Sequence, residues 1–138
     1  MTHLVDRLAE LRRHLDHLRE IRPSIPDADA LKRDLSLHND VMFSLLMVAQ
    51  LVIDMSGELV SRRGIRFEDY TEAVRSLAAL DGMPAGLPEK LARLPGFRNV
   101  LLHEYAVLDY GLVLEALDDL DPVREFILAV AAYEATAT

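Results

Sequence analysis

Leu4, Leu8, Leu11, Leu15 and Leu18 recur at a 4-3-4-3 spacing, which puts five leucines on one stripe of an amphipathic helix over about residues 3 to 21. Pro23 and Pro26 close that helix. A second helical pattern opens near Asp27, and Leu31, Leu35, His38, Met42, Leu45, Ala49, Val52 and Ser56 carry it to about Arg63, where Gly64 ends it. Its middle, Val41 to Ile53, is apolar almost all round, more than one neighbouring helix covers. This long helix is therefore expected at the centre of a bundle and against a second subunit. A bilayer span does not fit, because the run is 13 residues long, is interrupted by Ser44 and Gln50, and is too short to cross.

Phe67 to Leu80 predicts a third helix, with Phe67, Tyr70, Val74 and Leu77 on one side, and Gly82 with Pro84 breaks the pattern. A fourth begins near Leu87 or Pro88. Pro95 and Gly96 fall within its continuation and are expected to bend or interrupt it just before Phe97-Arg98-Asn99. The last helical region spans about Gly111 to Ala135, with a kink at Pro122. No segment alternates with the period of a strand, so the fold class is all-α, in one domain over residues 1–138.

Composition narrows the chemistry. The absence of cysteine removes disulfide frameworks, thiolate zinc sites, iron–sulfur clusters and thiol nucleophiles. A net charge of −8 argues against broad coating of nucleic acid or an anionic membrane, so any RNA contact must be local. Basic residues gather at Arg12 and Arg13, at Lys32 and Arg33, and at Arg62, Arg63 and Arg66; the last group is a candidate phosphate track, against the plainer reading of a solvated helix end. The leucine-and-charge pattern of the first residues holds no apolar signal core, and a cytoplasmic location with no membrane association is expected.

Polar groups concentrate in GFRNVLLHEYAVLDYG: Arg98, Asn99, His103, Glu104, Tyr105, Asp109 and Tyr110. On an unbroken helix Arg98, Leu102, Tyr105 and Asp109 share a face, while His103 lies about 140° from Arg98. Arg98 and His103 then meet only through distorted backbone near Gly96 or across a two-fold axis. Together the pair suffices for RNA cleavage: an imidazole moves protons at neutral pH, and a guanidinium grips phosphate oxygens. Other candidates are weaker. His14 and His17, an i, i+3 pair, are expected on the solvent-facing side of the first helix rather than on a metal. His38 falls on the apolar stripe of the second helix, as a core or interface histidine. His103-Glu104 lacks the second histidine of a zinc-protease helix, and no phosphate-binding loop or serine elbow is present.

Arg98-Asn99-Val100-Leu101-Leu102-His103-Glu104-Tyr105 resembles the Arg-x4-His-x-Tyr motif of HepT-like toxins, a branch of the all-helical HEPN ribonucleases. The likeness covers nearly the whole chain, through the leucine-striped first helix, the apolar second helix ending in Ile53-Asp54-Met55, the aromatic-led third helix with Tyr70, and the run Leu87 to Leu94. It implies an antiparallel helical bundle that forms a homodimer, with a composite, metal-independent and cofactor-free RNase site at the subunit cleft. Arg98 and His103 are then catalytic, supported by Asn99 and Asp109, with Arg62, Arg63 and Arg66 as RNA contacts and tRNA or mRNA as substrate. It also implies a type VII-like toxin–antitoxin system, in which an MntA-like minimal nucleotidyltransferase antitoxin neutralises the toxin by transferring AMP to Tyr105. The chain departs from the family pattern at Gln50, four positions before Asp54, where an acidic residue is common. A non-catalytic helical partner or substrate-binding subunit of a nucleotidyltransferase is the alternative, with the same segment as a docking surface.

Overall fold

A computed structural model describes residues 2–103 and 108–136, and their regular structure is entirely helical. The elements are α1 (Thr2–Ile21), α2 (Ala28–Arg33), α3 (Leu35–Arg62), α4 (Tyr70–Arg75), α5 (Leu87–Leu91), α6 (Leu94–Leu102), α7 (Tyr110–Asp118) and α8 (Asp121–Thr136), with 3-10 turns at Arg22–Ser24 and Ser76–Ala79. α1, α4, α6 and α8 all pack on α3. The cross-links fix their directions. Arg7 meets Glu58, His14 meets Ser44 and His17 meets Asp40, so α1 and α3 run antiparallel. Arg19 reaches Asp121 at one end of α8 while Arg62 of α3 reaches Glu134 at the other, so α8 runs antiparallel to α1 and parallel to α3.

The core follows the leucine stripe. Leu4, Leu11, Leu15 and Leu18 are buried against Val41, Leu45, Val48, Val52, Met55 and Leu59 of α3, with Phe126, Ile127 and Val130 of α8 in the same cluster. Burial of such side chains contributes roughly 1.5–3 kcal/mol each. In α3 the chain's own helices bury most of the apolar run. A stripe through Phe43, Leu46, Met47, Gln50 and Asp54 stays partly open, with Phe43 58% exposed. α3 is long and apolar enough to cross a membrane, but 61% of its most apolar window is buried inside the bundle, as a core helix requires.

Boundaries depart from the sequence pattern wherever a capping aspartate or a proline intervenes. The helix expected from Asp27 to Arg63 is split at Asp34, whose backbone is extended (φ −104°, ψ 101°). Its amide still donates to the Ala30 carbonyl at 3.1 Å, closing α2, and its carboxylate accepts from the Leu37 amide at 3.1 Å, opening α3. One residue thus serves both helix ends. Asp69 caps α4 through the Glu72 amide at 2.8 Å, so that helix starts at Tyr70 and leaves Phe67 outside it. The expected interruption near Pro95 is present, between α5 and α6, and the kink expected at Pro122 is a break between α7 and α8. Each proline sits in a first turn, of α6 and α8 respectively, where its missing N–H would have no intrahelical partner anyway. The helix expected from Gly111 to Ala135 is accordingly two, α7 and α8. Gly64 does end α3: it takes the left-handed φ of 74°, and Ile65 donates back to the Val60 carbonyl at 3.1 Å.

Candidate functional site

α6 is anchored on α3 by buried Pro95 and Leu101, and Arg98 lies midway between them on the same face. That register turns the guanidinium onto α3 and α4. Nη1 donates to the Gln50 Oε1 at 3.3 Å and Nη2 to the Asn99 Oδ1 at 3.2 Å. The Cζ atom stands 5.4 Å from the centre of the Tyr70 ring, close enough for cation–π attraction. Phe67 supports Tyr70 with its ring centre 6.4 Å away. Gln50 is itself tied down, its Nε2 donating to the Asp54 Oδ1 at 2.8 Å one turn further along α3. The Arg98 Nε is buried and finds no hydrogen-bond partner among the described residues. Among the described residues, two of the five guanidinium N–H groups are thus committed to side-chain acceptors.

His103 sits where α6 ends. Its amide donates to the carbonyls of Asn99 and Val100, both at 3.2 Å, and its backbone (φ −106°, ψ 27°) has left the helix. The ring is exposed at the edge of the bundle. Here the structure corrects the unbroken-helix expectation. α6 stops at Leu102, and Asp109 belongs to the next helix, where its carboxylate caps α7 by accepting from the amides of Gly111 at 2.9 Å and Leu112 at 3.3 Å. Asp109 thus does not share a helix face with Arg98; its observed work is structural. Tyr105, the expected site of AMP transfer, lies in 104–107, outside the described residues. Asn99 is exposed and accepts from the Arg98 guanidinium.

The Arg62, Arg63 and Arg66 group is divided by the fold. Arg62 is bound between Glu58 at 2.8 Å and Glu134 at 2.6 Å, pinning α8 to α3, whereas Arg63 and Arg66 are exposed. Arg62 is an internal ion-pair member, not a free phosphate contact. Of the histidine pair of α1, His14 faces inward rather than to solvent, whereas His17 stays partly exposed. His14 is buried, shares a 3.0 Å hydrogen bond with the Ser44 hydroxyl and meets the Phe43 ring edge-on, and His17 reaches Asp40 at 2.8 Å. Burial pulls the His14 pKa below its ordinary value, with Glu10 opposing and Arg13 and His17 assisting. His38 is half-buried, with its Nδ1 3.1 Å from the Tyr110 hydroxyl, in keeping with a core or interface role. Among the described residues no group of three or more His, Asp or Glu side chains is placed to hold a metal ion.

Gln50 and Asp54, noted in the sequence only as a departure from the family pattern, are brought to Arg98 by the fold. The available signal was their i, i+4 spacing, which makes them the polar interruption of the otherwise apolar α3 surface. Tyr70, expected on a packed stripe, is instead 45% exposed with its ring against Arg98. Exposed apolar side chains also occur on these helices: Val100 and Leu102 of α6 are 44% and 50% exposed, and Leu112 of α7 is 50% exposed. A guanidinium held on α3 and α4 and an exposed imidazole at the end of α6 are groups suited to binding anions and moving protons.

Comparison with known proteins agrees with this geometry. The family model described as ribonuclease HepT-like matches residues 11–130. A candidate RNase of Archaeoglobus fulgidus is 34% identical over 79 residues, spanning 57% of this chain and 60% of that protein, so the match covers less than two thirds of the relative. The mRNA nuclease HepT of Shewanella oneidensis is 19% identical over 131 residues, covering 94% of this chain and 96% of its own. Among solved structures, a tri-AMPylated Shewanella oneidensis HEPN toxin in complex with an MNT antitoxin superposes with a TM-score of 0.78 at 19% identity, over 94% of this chain and 96% of that one. At that identity the likeness establishes the fold.

Proposed function

The chain belongs to the HepT-like ribonuclease family, and from that membership we propose that it is a metal-independent endoribonuclease whose site is completed by a second copy of itself. The observation that carries the reading is the placement of Arg98 on α6 and His103 at its C-terminal cap, with the guanidinium oriented by α3 and α4 and the imidazole exposed at the helix end. Within one copy these groups face different directions, as their spacing of five residues dictates. A two-fold axis beside α6 brings two of each together across a cleft, and the exposed Val100, Leu102 and Leu112 supply the apolar rim such a contact buries.

In that cleft one His103 removes the proton from a ribose 2′-hydroxyl, whose oxygen attacks the adjacent phosphorus. The second His103 protonates the departing 5′-oxygen, and the two Arg98 side chains stabilise the charge gathering on the five-coordinate phosphorus. The P–O5′ bond breaks as the P–O2′ bond forms, leaving a 2′,3′-cyclic phosphate and a 5′-hydroxyl. Arg63 and Arg66 are exposed and extend the track for the RNA backbone. The chain acts as the toxin of a cytoplasmic toxin–antitoxin pair, on tRNA or mRNA. Its partner is a minimal nucleotidyltransferase that moves AMP from ATP to the Tyr105 hydroxyl and releases pyrophosphate. A nucleotide on Tyr105, two residues from His103, blocks the cleft by volume and by charge.

Purified protein incubated with RNA in the presence of a chelator is expected to yield cyclic-phosphate and 5′-hydroxyl ends. His103→Ala is expected to lower the rate by roughly 10² to 10⁴ while leaving the oligomeric state unchanged. Undiminished cleavage by the variant removes His103 from the chemistry and refutes the assignment.

A further inference from the structure

The orientation of Gln50 is set from below, by Asp54, and that orientation is what presents a hydrogen-bond acceptor to Arg98. A glutamine amide has two ends of opposite character, an acceptor oxygen and a donor nitrogen, and either can point toward a neighbour. Only the oxygen attracts a guanidinium. The Asp54 carboxylate is acceptor-only when ionised, so it takes the amide nitrogen, at 2.8 Å, and forces the oxygen outward to Arg98 at 3.3 Å. Asp54 and Gln50 lie one turn apart on α3, a rigid helix packed on α1, α4, α6 and α8, so the pair holds its place better than any loop residue would.

We propose that Asp54 and Gln50 form a polarised relay that positions Arg98: carboxylate fixes amide, and amide fixes guanidinium. The relay keeps the negative charge one residue away from Arg98. A carboxylate at position 50 would pair with the guanidinium directly and compete with a substrate phosphate for the same donors. The neutral amide oxygen instead orients the cation while leaving its charge for the phosphate. Neither residue touches substrate in this scheme; both are positioning residues, and their role in cleavage rests on the ribonuclease reading above.

Two readouts separate the relay from that reading. The first is the ¹⁵N–¹H spectrum of the Arg98 guanidinium in the full chain, identified by its loss in Arg98→Lys. Hindered rotation gives resolved η resonances in the wild type, and Gln50→Ala and Asp54→Ala are each expected to collapse them by freeing the side chain. The second is steady-state cleavage of a defined RNA oligonucleotide. Gln50→Ala is expected to lower kcat roughly 10- to 100-fold with KM altered less than about threefold, as misorientation of a transition-state group does.

Gln50→Glu supplies the sharper discrimination. Both glutamate oxygens accept, so no orientation needs fixing. Restraint of Arg98 should survive, KM should rise as the new carboxylate competes with phosphate, and adding Asp54→Ala should no longer free the guanidinium. Resonances unchanged by Gln50→Ala, or an Asp54→Ala effect as large in the Gln50→Glu background as in the wild type, overturn the relay. A wild type that restrains Arg98 through both residues yet cleaves no RNA upholds the relay and defeats the nuclease reading.

Discussion

Arg98 and His14 show how burial divides similar polar residues into different tasks. Arg98 stays partly open, spends some donors on Gln50 and Asn99, and rests on an aromatic face, so its charge remains usable at the surface. His14 is buried beside Ser44 and Phe43, and burial holds its pKa below the ordinary 6.5. The folded state therefore prefers the neutral ring, and between the lowered pKa and 6.5 the unfolded chain binds more protons than the folded one. The resulting stability is complete above about pH 6.5 and is lost as pH falls through the folded-state value. Urea midpoints taken at about pH 7.5 and about pH 5.5 should drop for the wild type and drop less for His14→Gln, which keeps a polar partner for Ser44 but cannot charge. An equal drop in both proteins would place the pH sensitivity elsewhere.

Short capping aspartates decide where the helices stop. Asp27, Asp34, Asp69 and Asp109 each accept from backbone amides at a helix start. Asp34→Ala is expected to cost about 1 kcal/mol, read as a lowered unfolding midpoint with unchanged slope, because the Leu37 amide loses its acceptor. Apolar spacing foretold the stripe of α1 and the centrality of α3, since these follow from which residues must leave water, and the stop at Gly64 followed from glycine's ease in the left-handed conformation. It ran α2 into α3 and α7 into α8 because Leu31–Leu35 and the leucines before Pro122 keep helical phase across the break; phase is blind to one extended residue. The same limit hid the site's support. Arg98 and His103 stand out in sequence by residue type, whereas Gln50 and Tyr70 matter through a contact made from 48 residues away and a cation over a ring, which only packing reveals.

At the scale of the molecule, one copy buries its central helix and still leaves apolar surface beside the chemistry. Phe43 of α3, Val100 and Leu102 of α6 and Leu112 of α7 are each 44–58% exposed. If this surface joins two copies, Leu102→Glu should convert a dimer to a monomer by light scattering, keep the helical circular dichroism and abolish cleavage, while Leu128→Glu on α8, 54% exposed in the wild type, should do neither. The decisive test is cleavage by a hybrid dimer, purified through two different tags, of one wild-type chain and one Arg98→Ala/His103→Ala chain. A site that draws its acid and base from both copies predicts less than about a tenth of the wild-type rate, the loss of one general acid–base group. Half the wild-type rate, the value for two independent sites, would contradict a shared one.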